Sequence, residues 1–157
     1  MAIRAKHKIT ALRPLERSLT ISLLRAREAV MVRFRPVLHR HGVTEQQWRV
    51  IRVLAERHAC DASELAAASC IHPASLSRIL RTLQGSRVLQ ARPSRTDSRR
   101  LVVTLKTAGR RYFVAIGGES EMVYRRIEQE VGRSELERTL ARVNQLAARL
   151  ARRAAAR

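Results

Sequence analysis

The chain has 157 residues, 45% of them hydrophobic, with 32 Lys+Arg against 13 Asp+Glu and a formal net charge of +19. That length suits one domain, or one domain with helical extensions, and the apolar share supports a packed core and excludes disorder. A cationic surplus of this size points to a polyanionic partner, nucleic acid or an anionic membrane surface.

The charge is unevenly spread. Residues 1–110 hold 22 basic and 7 acidic side chains, and residues 111–157 hold 10 and 6. Only Lys6, Lys8 and Lys106 are lysines; a coding bias accounts for the Arg:Lys ratio but not for the scarcity of acids. No apolar run approaches the ~20 residues that span a bilayer. The basic N-terminus lacks the uninterrupted apolar stretch of a signal peptide, so a cytoplasmic protein is expected. Cys60 and Cys70 have no metal-site spacing and read as reduced thiols, so no metal and no cofactor is expected.

Residues 1–14 are basic and weakly patterned, as in a mobile arm. Leu15, Leu19, Leu23, Ala26, Val30, Phe34, Val37 and His41 then step by three and four, predicting an amphipathic helix within 15–42. Pro36 should kink or break it, and Gly42 should end it. Thr44-Glu-Gln-Gln47 is a capping box for a helix that buries Trp48, Ile51 and Leu54 or Ala55. Asp61-Ala-Ser-Glu64 repeats the device for a short helix with Leu65 and Ala68.

Pro73 suits the first turn of the next helix, whose inner face is Leu76, Ile79, Leu80 and Leu83. Val88 and Leu89 begin a strand, and residues 101–105 form its partner. Between them lie Arg92, Arg95, Arg99 and Arg100 against the single acid Asp97. After Lys106 a long helix offers Tyr112, Phe113, Ile116, Val123, Ile127 and Val131 for packing, weakened at Gly117-Gly118 and broken at Gly132. Ser134-Glu-Leu-Glu137 reads as a third capping box, opening a helix with Leu136, Leu140, Val143, Ala147 and Leu150 on one stripe.

The expected class is mainly α with a small β-wing: a winged helix-turn-helix over 43–106, flanked by dimerisation helices at 15–42 and 107–157. Such a unit puts one helix into the DNA major groove. Arg78 and Arg81 lie three apart on its outer face, suited to guanine edges or phosphates. Ser75 and Ser77 suit phosphate oxygens near the helix N-terminus. Arg95 at the wing tip suits the minor groove, and Arg92, Arg99 or Arg100 suit phosphates. Asp97 would repel phosphate, so it reads as a brace for Arg99. The terminal helices carry apolar stripes that a small winged helix cannot cover, which points to a second subunit.

No phosphate loop, paired-His metal motif or nucleophile elbow is present, so an enzyme is not expected. A thiol-oxidation sensor using Cys60 or Cys70 and a sequence-blind architectural DNA-binding protein remain as alternatives.

The order of these elements resembles the MarR family of winged-helix regulators. Asp97-Ser-Arg99-Arg-Leu-Val-Val-Thr-Leu105-Lys-Thr-Ala-Gly109 is similar to that family's wing signature. Ser18-Leu-Thr-Ile21, Ala26-Arg27-Glu28-Ala29, Phe34-Arg-Pro36 and Thr44-Glu-Gln-Gln-Trp48-Arg49 resemble the branch that controls homoprotocatechuate degradation. The resemblance implies a homodimeric repressor on a pseudo-palindromic operator in double-stranded DNA, released by a small aromatic acid. It also implies an effector pocket between the first two helices and the DNA-reading lobe. There Arg27 would clamp a carboxylate, Trp48 would stack on the ring, and His39 and His41 would bind a phenolic oxygen; the plainer reading pairs Arg27 with an acid and buries Trp48 in the core. Lys106 replaces the family's capping Thr, leaving Thr107 as a substitute, and Arg87 replaces the usual Gly after the recognition helix.

Overall fold

A computed structural model describes residues 14–94, 97 and 100–155. A 3-10 turn at Leu15–Arg17 leads into α1 (Leu19–Arg40), α2 (Glu45–Arg57), β1 (Ala59–Asp61), α3 (Ala62–Ser69) and α4 (Pro73–Gly85). The wing strands β2 (Leu89–Pro93) and β3 (Leu101–Leu105) follow, then α5 (Thr107–Val131) and α6 (Arg133–Ala155). The expected mainly α winged helix is the observed architecture. The arm expected over 1–14 lies, apart from Pro14, outside the described residues.

Two of the three predicted capping boxes are formed. The Thr44 hydroxyl accepts from the Gln47 amide while the Gln47 side chain accepts from the Thr44 amide, at 3.2 and 2.9 Å. Asp61 and Glu64 exchange the same pair of bonds at the start of α3. Each satisfies two amides that a helix start leaves unpaired. His72 caps α4, and Pro73 takes its first position.

Three local expectations are corrected. α1 runs unbroken through Pro36; Phe34, Val37 and Leu38 around it are buried, and that packing outweighs the one missing amide bond. α6 begins at Arg133, directly after Gly132 (φ +90), so Ser134 is inside the helix and caps nothing. Its partner in the supposed box, Glu137, pairs instead with Arg133 at 3.0 Å. Thr107 is the first residue of α5, and Lys106 at the cap position makes no side-chain capping bond. Gly117 and Gly118 do not interrupt α5. Arg87 keeps the left-handed turn that a glycine would favour, with φ +59.

The sheet order is β1-β3-β2, antiparallel throughout, with Cys60 opposite Val103 and Ala91 opposite Val103 from the other side. β1 was not expected from the sequence. The core joins Ile51 and Leu54 of α2, Leu65 of α3, Leu76 of α4, Leu89 and Val103 of the sheet, and Ile116 of α5, all essentially sealed from solvent. Burying each aliphatic side chain of this size contributes about 1.5–3 kcal/mol. Away from this core the terminal helices are bare. Leu19, Leu24, Leu140, Val143 and Leu150 are exposed, as are Met122 and Val131 on α5.

Ion pairs fasten α1 to its neighbours. Arg27 and Arg35 both reach Glu45 on α2 and Glu28 on α1, and Arg40 and His41 share Glu119 on α5. Burial pushes the Glu45 carboxyl up, but hydrogen bonds from Arg35 and Arg27 outweigh it and hold the group below its ordinary range. Hydrogen bonds from Arg40 and His41 hold Glu119 down likewise. A carboxylate lowered in this way stabilises the fold above the ordinary carboxylate range and loses that contribution as pH falls through the lowered value.

Two outcomes follow. The melting temperature should drop as pH falls below about 4, and Glu45→Gln with Glu119→Gln should flatten that drop in thermal melts across pH. Gly109→Ala should destabilise the protein by about 1–3 kcal/mol in urea titrations. Its new methyl would lie 2.4 Å from the Val88 carbonyl oxygen and 2.8 Å from Leu105 Cδ2, and the first of these is backbone.

Candidate nucleic-acid interface and ligand cleft

α4 is amphipathic in the strict sense that its inner residues Leu76, Ile79, Leu80 and Leu83 are all buried, so the remaining positions must face outward. Arg78 and Arg81 are exposed there, and neither is paired with an acid among the described residues. Two unpaired guanidiniums three residues apart form a charged edge able to meet phosphates or guanine. Ser77 is exposed but donates its hydroxyl to the Pro73 carbonyl at 3.2 Å, and Ser75 is half-buried. The Ser77 hydroxyl can therefore donate to a phosphate only after a rotation.

The wing rises beside this helix. Arg92 is exposed on β2 opposite Val102. The hairpin closes on itself through the Ser94 amide to the Arg100 carbonyl at 2.8 Å and the Arg100 amide to the Asp97 carbonyl at 3.0 Å. Arg100 reaches back to the buried Asp61 carboxylate. This guanidinium is therefore committed to fastening the loop end of the wing to β1 while half of it stays accessible. Arg95 and Arg99 lie outside the described residues, and with them the proposed brace from Asp97.

A second feature lies between α1, α2 and α5. A cleft of about 160 Å³ is lined by Arg27, Val30, Met31 and Phe34 of α1, by Glu45, Trp48, Arg49 and Arg52 of α2, and by Ser120 and Tyr124 of α5. Its walls are aromatic. Phe34 and Tyr124 meet edge to face at 4.8 Å, and Trp48 stacks on Phe113 with centroids 6.1 Å apart. Trp48 thus serves the core and the cleft together. Two polar atoms in the lining, Arg49 Nε and Ser120 Oγ, are sealed from solvent with no hydrogen-bond partner. An unpaired buried donor of this kind costs about 1–3 kcal/mol.

Of the residues expected at an effector site, Arg27 and Trp48 are brought together here. Both terminal nitrogens of Arg27 already bind Glu28 and Glu45, however, which is the plainer of the two sequence readings. His39 and His41 do not line the cleft. His39 is exposed, and His41 is held by Glu119 at 2.6 Å.

Sequence reasoning missed Arg49, Arg52, Ser120 and Tyr124. Arg52 falls four residues after Trp48 and so shares its helix face. Ser120 interrupts the inner stripe of Ile116, Val123 and Ile127, and a polar residue at such a position is a readable signal.

Comparison with known proteins agrees with this geometry. The MarR family model matches residues 41–100. The HTH-type transcriptional regulator FarR of Neisseria gonorrhoeae is 40% identical over 120 residues, covering 76% of this chain and 82% of that protein. The homoprotocatechuate degradative operon repressor of Escherichia coli is 42% identical over 114 residues, 72% of this chain and 76% of its own. Among solved structures, NadR in complex with 4-hydroxyphenylacetate superposes with a TM-score of 0.77 at 34% identity, covering 87% of this chain and 97% of that one. With a buried-faced α4, a wing fastened beside it and these relatives, the chain belongs to the MarR family of transcriptional regulators.

Proposed function

We propose that the protein is a dimeric, sequence-specific repressor of an aromatic-acid catabolic operon, released from its operator when a small hydroxylated aromatic carboxylate enters the cleft between α1, α2 and α5. The observation that carries this reading is the pair of solvent-sealed, unpartnered atoms in the cleft, Arg49 Nε and Ser120 Oγ, set among aromatic walls. A planar acid satisfies all three features at once. Its ring packs against Trp48 and Tyr124, its carboxylate meets the arginine edge of Arg49 and Arg52, and Ser120 meets its remaining oxygen.

Size supports the same class. A cavity of about 150 Å³ accommodates a benzene-sized ring, so this cleft has room for a single aromatic ring. The names of the relatives point the same way: one represses a homoprotocatechuate operon, and NadR is solved with 4-hydroxyphenylacetate.

Dimerisation is supported by the bare apolar residues of α1, α5 and α6, which a second copy would cover. Two copies would present two sets of Arg78, Arg81 and wing arginines, matching a pseudo-palindromic site. A thiol switch is less well supported, since burial pushes the Cys60 thiol up and away from the reactive thiolate.

Fluorescence anisotropy with the promoter fragment next to the coding region tests the reading. Wild-type protein should prefer that fragment over random duplex by about a thousandfold, and 4-hydroxyphenylacetate or a related acid should weaken it about 5- to 150-fold. Arg78→Ala should lose about 1–3 kcal/mol of discrimination while remaining a dimer by light scattering. Equal affinity for random duplex, or a monomer in solution, would overturn the reading.

A further inference from the structure

Arg49 has two faces. The residue lines the cleft, its Nε is sealed from solvent without an acceptor, and its Nη1 donates to the backbone carbonyl of Cys70 at 3.1 Å. Cys70 is no ordinary position. It ends α3 in the left-handed conformation (φ 51, ψ 49), its amide bonds back into α3, and only Ile71 and His72 separate it from α4. The carbonyl that Arg49 holds therefore belongs to the turn that sets the angle between α3 and the exposed arginine-bearing helix.

We propose that Arg49 is the positioning residue through which an acid in the cleft controls the helix-turn-helix: the ligand takes its Nε edge, and the guanidinium shifts off the Cys70 carbonyl. This inference rests on the effector reading above and adds the route by which that site acts. The physical reason is rigidity. A guanidinium is a single plane with its donors in a fixed fork, so it cannot reorient toward one acceptor while leaving another contact unchanged.

The energetic ordering favours the ligand. Both bonds have a charged donor. Where a peptide carbonyl offers only a dipole, a carboxylate adds a full negative charge and can engage two guanidinium donors at once. It also satisfies a buried donor that has no partner in the free protein. The Cys70 carbonyl then loses its side-chain donor, and the turn loses a restraint from α2. By linkage, operator binding that requires the fastened turn must oppose ligand binding by the same factor.

A lysine separates transmission from simple bracing. Its single ammonium on a flexible stem can meet either the ligand or the Cys70 carbonyl, but it has no rigid plane to couple them. The readout is the ratio of operator Kd with saturating 4-hydroxyphenylacetate to operator Kd without it. Ligand affinity is measured in parallel by calorimetry, together with three other hydroxylated benzoic and phenylacetic acids.

Wild type should show a ratio of about five or more. Arg49→Lys should bind the acid more weakly, and at a concentration that saturates the variant its ratio should lie below about two. If Arg49→Lys and Arg49→Met are both released by the wild-type factor at saturation, Arg49 is not the link, though the effector reading stands. If no acid binds wild type, the effector reading falls and this inference with it.

Hydrogen exchange on the wild-type protein decides the matter should the variants fold poorly. The amides of Cys70 and Ile71, bonded to carbonyls of α3, should exchange faster when the acid is bound. Unchanged protection there with the acid bound would overturn the proposal.

Discussion

The carboxylate of Asp61 is where the DNA-reading lobe is assembled. It ends β1, opposite Val102 of the wing, and in the same position it caps α3 through the Glu64 amide and the Ser63 hydroxyl. It also receives Arg100 from the far end of the hairpin. A largely buried anion is costly unless paired and hydrogen-bonded. Here the compensating donors come from α3 and from β3's leading edge, so the group is satisfied only when the wing and the first helix of the reading unit are docked together. Cap, strand and wing thus form one unit.

Around that unit the protein divides its apolar surface unequally. The inner faces of α2, α3, α4 and the sheet close on each other and on Ile116 of α5, and little of that surface is left for solvent. α1 contributes Phe34, Val37 and Leu38 near its end, while its earlier leucines remain uncovered. Among its described side chains α6 contributes nothing fully buried. The ion pairs of Glu45 hold the middle of α1 to α2, and those of Glu119 fasten its buried end to α5. They sit at the surface, so they orient more than they stabilise. The cleft between α1, α2 and α5 lies at this seam between a tightly packed lobe and loosely held outer helices, where local openings cost least.

Features fixed by neighbouring residues were readable in the sequence. Thr44 and Gln47, or Asp61 and Glu64, specify a helix start because each motif completes its own hydrogen bonds within one turn. The four-residue stripe of α4 likewise predicts its buried face and, by subtraction, its outward arginines. The same locality misled at Ser134. Serine and Glu137 have capping spacing, but Gly132 had already turned the chain and Arg133 had begun the helix, so the motif fell two residues late. β1 was hidden because three residues carry no period, and their pairing depends on a strand more than forty positions away. Arg49 was hidden for a related reason. Its partner is a peptide carbonyl 21 residues on, and a carbonyl leaves no mark in a sequence of side chains.

The glycine pair in α5 has a mechanical meaning. From the wing onward the chain continues through α5 into α6, so strain carried along the backbone from the wing to α6 crosses Gly117 and Gly118. Nothing crowds either position, and a methyl group would fit at both. Their presence therefore softens the shaft by about 1 kcal/mol per glycine without any steric need. A rod with a compliant middle lets its two ends answer to different surroundings: one to the spacing of the double helix beneath it, the other to whatever covers its bare leucines.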